Sequence, residues 1–107
     1  MASGKLGAAD LVADTYTTVY TVPSGTVSTV NVAMVNRGAS DASVRIAVTT
    51  QASTPLDADF VEYDAVIPAT GGILERTAMV AGAGEKIMIR STSGDVSVRV
   101  HGFEEVA

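Results

Sequence analysis

The chain of 107 residues has no cysteine, no tryptophan and a single histidine, His101. Without cysteine it can form neither a disulfide framework nor a thiolate metal site, and it lacks a cysteine nucleophile. Nucleophilic catalysis needs a base that is oriented by a third group, and His101 is the only imidazole. On a strand, His101 would share a face with Arg99 and Ser97, which is typical of an outward or interface histidine. We therefore expect no enzymatic activity, no metal site and no cofactor.

Aromatic residues and positive charge are also scarce. Aromatics make up 5% of the chain, and 12 acidic against 7 basic residues give a net charge of −5. Nucleic-acid binding depends on clustered Lys and Arg, so we expect no nucleic-acid partner. The acidic balance suits a soluble protein or one that docks on a basic surface.

Long apolar runs are missing as well. The first ten residues lack the apolar segment of 7 to 15 residues that a signal peptide needs. No stretch approaches the roughly 20 apolar residues of a transmembrane helix. We expect a protein that has no membrane partner and does not cross a membrane by the ordinary route.

What the sequence does contain is alternation of apolar with polar or small residues. This period of two is typical of strands with one buried face. Valine is plentiful, and its branched side chain favours strands. The predicted inward residues are Val30, Val32 and Met34 in one segment, Val44, Ile46 and Val48 in the next, and Val96, Val98 and Val100 near the end.

Short turns that contain glycine, proline or asparagine separate these segments at the spacing of roughly 8 to 12 residues found in sandwiches and barrels. They predict an all-β fold, an antiparallel, jelly-roll-like β-sandwich of seven or eight strands. The predicted strands are 15–22, 26–36, 43–51, 59–64, 72–80, 85–91 and 95–103.

The first residues leave two interpretations open. Residues 1–12 form either an N-terminal arm or a first strand, and residues 13–107 form a single sandwich domain. Leu6 and Leu11 have no regular pattern that would bury them within their own domain, which is typical of an arm that orders on a neighbour. The candidate contacts with another subunit or another partner protein are therefore Lys5, Leu6 and Leu11, together with Arg37 in a turn.

Two segments resemble chemical motifs only superficially. The carboxylates Asp57, Asp59, Glu62 and Asp64 could suggest a calcium site or an acid and base pair. Glu62 and Asp64 would share one face with Phe60, so a solvated or partner-facing strand edge is favoured, and outward acids discourage edge aggregation. Residues 81–86 lack the spacing of a phosphate loop and precede a strand, which favours a hairpin turn.

Four arginines are predicted on strands, opposite the apolar face. They are Arg45, Arg76, Arg90 and Arg99. One interpretation is a solvated face. The other is that their guanidinium groups pair with carboxylates of neighbouring subunits, since Arg binds carboxylates in a planar bidentate geometry.

The order of short segments resembles a module of tailed-bacteriophage virion proteins over about residues 6–105. The first part of the resemblance lies in Tyr20-Thr21-Val22-Pro23-Ser24-Gly25, Val30-Asn31-Val32, Val35-Asn36-Arg37-Gly38 and Val44-Arg45-Ile46-Ala47. The later part lies in Phe60-Val61-Glu62-Tyr63-Asp64, Ile67-Pro68, Leu74-Glu75-Arg76-Thr77, Ala83-Gly84-Glu85-Lys86 and Val98-Arg99-Val100-His101-Gly102-Phe103-Glu104-Glu105.

The resemblance implies a structural protein of the virion, made in the cytoplasm of a bacterial host. Head decoration (cement) proteins, baseplate components and fibre components are the known roles of the group. No fibre-like repeat is present, which favours decoration of the capsid surface over the alternative of a tail, baseplate or fibre-tip protein. The implied partners are further copies of the chain, with a trimer among the options, and the major capsid protein or other virion proteins.

A carbohydrate-binding sandwich or a small hydrolase is a third interpretation from another class. Sugar binding generally uses exposed aromatic platforms. With no tryptophan and three tyrosines, the chain is poorly equipped for it.

Overall fold

The structure is a computed structural model that describes residues 2–107 and contains eight β-strands in this range. A short 3₁₀ turn, Asp57–Asp59, precedes the fifth strand. Among the described residues, no helix is long and apolar enough to cross a membrane. The strands are β1 (Ser3–Asp10), β2 (Thr17–Thr21), β3 (Thr26–Asn36), β4 (Ala42–Thr49), β5 (Phe60–Ile67), β6 (Gly72–Ala81), β7 (Lys86–Ser91) and β8 (Val96–Val106).

The strands form two four-stranded sheets in which every neighbouring pair is antiparallel. Sheet A has the order β1-β8-β3-β6, and sheet B has the order β2-β7-β4-β5. Every connection except the one between β4 and β5 crosses from one sheet to the other. This topology is the eight-stranded jelly roll. The predicted antiparallel, jelly-roll-like sandwich is confirmed.

The core lies between the sheets and is built from the inward side of each strand. On β3 the even-numbered residues are buried without a break from Thr26 to Asn36. Val44 and Ile46 of β4 are buried as predicted, whereas Val48 is only half-buried. The remaining core is mainly aliphatic, with Val22, Ile67, Ala81, Ile87, Ile89, Val96, Val98 and Val100.

The first residues form an edge strand of sheet A. β1 pairs with β8, and Met1 lies outside the described residues. β1 also approaches β2 closely, because a Cβ atom on Gly7 would lie 2.2 Å from the carbonyl oxygen of Val19. Only glycine fits where the two backbones come this near. Leu11 follows β1 into the core and is 2% exposed.

A buried hydrogen-bond cluster joins the two sheets at one end of the sandwich. The Tyr20 hydroxyl of β2 donates to the Glu104 carboxylate of β8 over 2.6 Å and lies 2.7 Å from Ser28 Oγ of β3. Glu104 also accepts from the backbone N–H of Ala2. Burial raises the pKa of Tyr20, and its hydrogen bond lowers the pKa of Glu104. The cluster fixes the chain start against both sheets.

Asn36 organises the opposite end. Its buried side chain donates to the carbonyl oxygens of Ser40 and Ile67, and its Oδ1 accepts from the N–H of Gly38. These bonds tie the β3–β4 turn to the end of β5. Four connections meet at this end, 11–16, 37–41, 68–71 and 92–95, as their mutual backbone hydrogen bonds indicate.

Candidate contact surface

The side of sheet A that points away from the core carries several exposed side chains, and we call it the outer face of sheet A. The antiparallel register arranges its side chains in rows that cross the strands in the order β1, β8, β3, β6. The first row is Asp10, Ser97, Val35 and Ile73. The second is Ala8, Arg99, Ala33 and Glu75. The third is Lys5, His101 and Asn31, and the fourth is Ser3, Phe103, Thr29 and Val80.

A groove of about 380 Å³ runs over the first two rows. Its outer wall includes Ile73, which is 65% exposed, and its charged borders are Arg99 and Glu75. Single exposed apolar residues are ordinary on a protein surface, but several on one face indicate an interaction site. Phe103 and Val80 form a second exposed apolar pair in the fourth row, at 45% and 67% exposure. The charged and polar side chains of the second and third rows separate this pair from Ile73.

Arg99 and Glu75 form no ion pair among residues 2–107. Ala33 lies between them, since it is the register partner of Arg99 on one side and of Glu75 on the other. Two strand spacings separate their Cα atoms, which is about 10 Å. The second row therefore presents one positive and one negative side chain on either side of a small residue.

Arg37, one of the predicted contact residues, borders the first row. Its Nε donates to Ser97 Oγ over 2.8 Å, and its guanidinium pairs with the Asp10 carboxylate. The Arg37 side chain is about half exposed. It therefore ties β1 and β8 together at the end of the groove while remaining accessible.

The other three predicted contact residues occupy different environments. Lys5 lies exposed in the third row, beside His101. Leu6 lies at an irregularity of β1 and packs against the core. Leu11 is buried within its own domain, so the expectation that nothing in the chain buries it is corrected. Its side chain is therefore not accessible for a contact. For Lys5, Leu6 and Arg37 a contact role remains a prediction.

His101 lies half-buried on the same face. Its Nδ1 atom is buried and has no hydrogen-bond partner among residues 2–107. Asn31 of β3 donates to the His101 carbonyl oxygen and accepts from the N–H of Ala78. The Asn31 side chain thus links β8, β3 and β6 through hydrogen bonds to the backbone of His101 and Ala78.

The outer face of sheet B differs because a second, small cluster covers it. Ala47 of β4 and Met88 of β7 are register partners on the outward side, yet they are 0% and 1% exposed. Phe60 is the register partner of Ala47. Its ring centroid lies 5.0 Å from that of Tyr63 and 6.3 Å from that of Tyr16. Aromatic pairs at these separations are stabilising.

Two arginines complete this aromatic–arginine cluster, which consists of Tyr16, Phe60, Tyr63, Arg45 and Arg90. Arg45 Nε donates to the carboxylate of Asp64 over 2.7 Å, and its Cζ lies 4.1 Å from the Tyr63 ring centroid. Its Nη1 donates to the Tyr16 hydroxyl over 3.1 Å. The hydrogen bond to Asp64 raises the pKa of Arg45 and lowers that of Asp64.

Irregularities in β5 make this arrangement possible. Glu62 and Ala65 pair with Ile46 and Val44, so β5 has one residue more than β4 between these pairs, and Asp64 adopts φ of +53°. A bulge of this kind redirects side chains. The predicted shared face of Phe60, Glu62 and Asp64 is therefore wrong for Glu62, whereas Phe60 and Asp64 both lie on the outer side of sheet B.

The bulge sends the two carboxylates to different partners. Asp64 meets Arg45 on the outer face of sheet B, whereas Glu62 lies 2.7 Å from Arg76 Nη1 of sheet A. Among residues 2–107 no group of three or more His, Asp or Glu side chains could hold a metal ion. The predicted cluster of Asp57, Asp59, Glu62 and Asp64 is thus dispersed, and Asp59 accepts from the Thr49 hydroxyl.

The arginines on strands are mostly paired within the chain. Arg45 pairs with Asp64 and Arg76 with Glu62, and Arg90 lies 3.1 Å from Asp14. Arg99 is the strand arginine without such a pair in the described part of the chain. Pairing with a neighbouring subunit therefore remains a prediction that fits Arg99 best.

Glu75, Ala33 and Ile73 were not singled out by the sequence. The alternation over 72–80 places Ile73 and Glu75 on one face, but it does not indicate which strand lies beside β6. The neighbour relation with Ala33 and Arg99 depends on the β3–β6 and β3–β8 pairings. The contact between these residues could not be predicted because the order of the strands in the sheet was not known from the sequence.

No family model and no curated protein matches this chain. Among solved structures, the chain is similar to two crystal structures of a pentameric capsid protein isolated from metagenomic phage sequences. The identities are 21% and 20%, each with a TM-score of 0.44. The match covers 94% of this chain and 64% of that protein in both cases, so this chain spans less than two thirds of its length.

Proposed function

We propose that this chain is a non-enzymatic structural protein of a tailed-bacteriophage virion, and that it acts as a decoration (cement) protein on the head. The jelly-roll topology carries the proposal, because this double-sheet architecture is common in viral capsid proteins. The sequence resemblance to virion modules supports it. Fold alone does not define function, so the surface must supply the remaining argument.

The surface supports adhesion by a rigid body. Four ion pairs, the Asn36 bonds and the Tyr20 cluster hold the described residues in one arrangement. Binding by a preformed surface avoids the entropy cost of ordering a flexible one. The outer face of sheet A offers exposed apolar side chains, and two charges that have no ion pair among residues 2–107, for contact with virion proteins or with further copies of this chain.

The proposed mechanism is clamping between capsid subunits. A domain bound across the seam between capsomers adds buried apolar area and hydrogen bonds, which internal pressure must break before the shell opens. The net charge of −5 is suited to a basic patch on the shell. Many copies, each binding modestly, would then raise the stability of the whole head.

A tail, baseplate or fibre-tip role is the second candidate, and one observation favours it. The connection between β4 and β5 is the longest loop, and Leu56 within it is exposed while Pro55 is buried. Loops on rigid β scaffolds often carry binding. This loop could contact a host surface or a neighbouring tail protein.

Location and copy number in the particle distinguish the two candidates. We expect immunogold labelling of intact virions to mark the head, and quantitative mass spectrometry to find hundreds of copies per particle. A handful of copies at the tail would instead support the second candidate. Absence of the chain from purified virions would contradict both.

A further inference from the structure

We propose that the outer face of sheet A binds a second copy of this chain, face to face, around a two-fold axis that runs parallel to β3. In this pairing Arg99 of each copy meets Glu75 of the other, and Phe103 of each copy packs on Val80 of the other. The inference rests on the proposed function and deepens it by naming the face and the contacts through which copies of the chain associate.

The strand order dictates these contacts. In sheet A, β8 and β6 flank β3 on opposite sides. Rotation by 180° about an axis parallel to β3 exchanges left and right, so β8 of one copy lies over β6 of the other. Sheets packed face to face lie about 10 Å apart with nearly aligned strands, and a two-fold axis along the strands permits this.

The second row is electrostatically complementary to itself under this operation. Arg99 lies on β8, Glu75 on β6 and Ala33 between them on β3. The rotation places Arg99 of each copy over Glu75 of the other, which gives two equivalent pairs. It also places the two Ala33 residues over one another. Both charges are free in the described chain, and the small side chains at the axis allow the sheets to approach.

The fourth row repeats the complementarity with apolar residues. Phe103 lies on β8, Val80 on β6 and Thr29 between them. The same rotation places each exposed Phe103 over the exposed Val80 of the second copy. The same two-fold rotation therefore produces complementary contacts in both rows. A two-fold axis perpendicular to the strands and centred on the second row would instead bring Arg99 against Arg99 and Glu75 against Glu75.

Association of two copies of this chain requires complementary charges within the contact. Two molecules that each carry a net charge of −5 repel one another at long range. Opposite charges placed within the contact offset that repulsion and fix the register. Interfaces enriched in aromatic and arginine anchors are typical of specific association.

The test is a charge swap on the purified full chain, followed by sedimentation velocity from about 1 μM to about 1 mM, which brackets weak to moderate dissociation constants. The wild type should form a dimer. Glu75→Arg and Arg99→Glu should each weaken it about tenfold or more, because each variant places like charges opposite one another. The combined Glu75→Arg and Arg99→Glu variant should restore the dimer, since the pairs re-form with exchanged signs.

Matched controls change the charge by the same amount elsewhere. Lys86→Glu on sheet B is the control for Arg99→Glu, and Asp57→Arg in the 3₁₀ turn is the control for Glu75→Arg. Both should leave the dimer unchanged. Circular dichroism melts establish that each variant is folded, and recovery in the combined variant excludes misfolding as the cause of a loss.

Several outcomes would overturn the pairing. They are a wild type that stays monomeric at the highest concentration, association that is insensitive to both single reversals, or a combined variant that does not recover. A monomer that still occupies virions would assign the face to a different partner and leave the proposed function intact. A charge-dependent dimer that is absent from virions would leave the pairing intact and contradict the proposed function.

Discussion

The two outer faces of the sandwich differ in whether their side chains find packing and hydrogen-bond partners within the chain. On sheet B, Ala47 and Met88 are covered, and Arg45 is held by a carboxylate, a hydroxyl and an aromatic ring. On sheet A, Ala33 lies at the corresponding central position between Arg99 and Glu75, which form no ion pair within residues 2–107. One face has its partners within the chain, and the other presents groups that a partner could satisfy.

The difference shows that period-two alternation determines which side of the sheet a side chain points to, but not whether that side chain is buried. Ala33 and Ala47 both point away from the core at the centre of a sheet. Ala47 is nevertheless fully buried, because Phe60 lies opposite it and the bulged strand β5 brings Tyr63 and Asp64 over the face. A sheet face is therefore open or closed according to what the edge strands place upon it.

The largest expected effect comes from placing a charge at these two alanines. Ala47→Asp should destabilise the fold by about 3 kcal/mol or more, because an unpaired carboxylate would be buried beneath the aromatic rings. The matched variant Ala33→Asp should cost less than about 1 kcal/mol, since Ala33 is only half-buried. Urea unfolding followed by circular dichroism measures both. Equal losses would refute the contrast between the faces.

A smaller effect is expected from truncating one aromatic residue on each face. Phe60→Ala should cost about 2 kcal/mol, because the ring is partly buried and contacts two other aromatic rings. Phe103→Ala should cost less than about 1 kcal/mol in the monomer, because the residue is already 45% exposed there. The measurement is thermal unfolding at low protein concentration. A greater loss for Phe103→Ala would reverse the assignment of the open face.

The smallest effect concerns acid sensitivity of the sheet B face. Its Arg45 hydrogen bond lowers the pKa of Asp64 in the folded state below the ordinary value of 3.8. A lowered folded-state pKa contributes stability above the unfolded-state pKa, and this contribution is lost as pH falls through the folded-state value. Asp64→Asn should therefore flatten the decline of stability below about pH 4.

The partner variant provides the control for that experiment. Arg45→Met removes the cation, so it should flatten the acid limb of the stability profile in the same way. Combining the two substitutions should add little further flattening, because both remove one interaction. Acid profiles that stay parallel to the wild type in both single variants would contradict the proposed coupling.

The regular parts of the fold could be predicted from the sequence because their local signals agree with their tertiary surroundings. β3 begins and ends at the predicted residues, since Val30, Val32 and Met34 alternate regularly at its centre and a turn lies at each end. β6 and β7 also agree with the predicted strands within a residue. Strand propensity, alternation and turn residues all favour the same answer there.

Other parts depend on contacts that no local pattern encodes. The bulge at Asp64 has no glycine to mark its positive φ, so the alternation over β5 predicted a regular strand. Leu11 is buried by the crossing of the chain from β1 to β2, not by a period of its own. The contact surface likewise depends on strand order, because Arg99 and Glu75 become neighbours of Ala33 only through long-range pairing.

The most direct test of the account is hydroxyl-radical footprinting of the wild type, read by mass spectrometry, below and above the concentration at which it associates. Association should protect Ile73, Val80 and Phe103 on sheet A and leave Tyr63 and Leu56 unchanged. Protection of Tyr63 without protection of Phe103 and Val80 would contradict the claim that the outer face of sheet A is the open one.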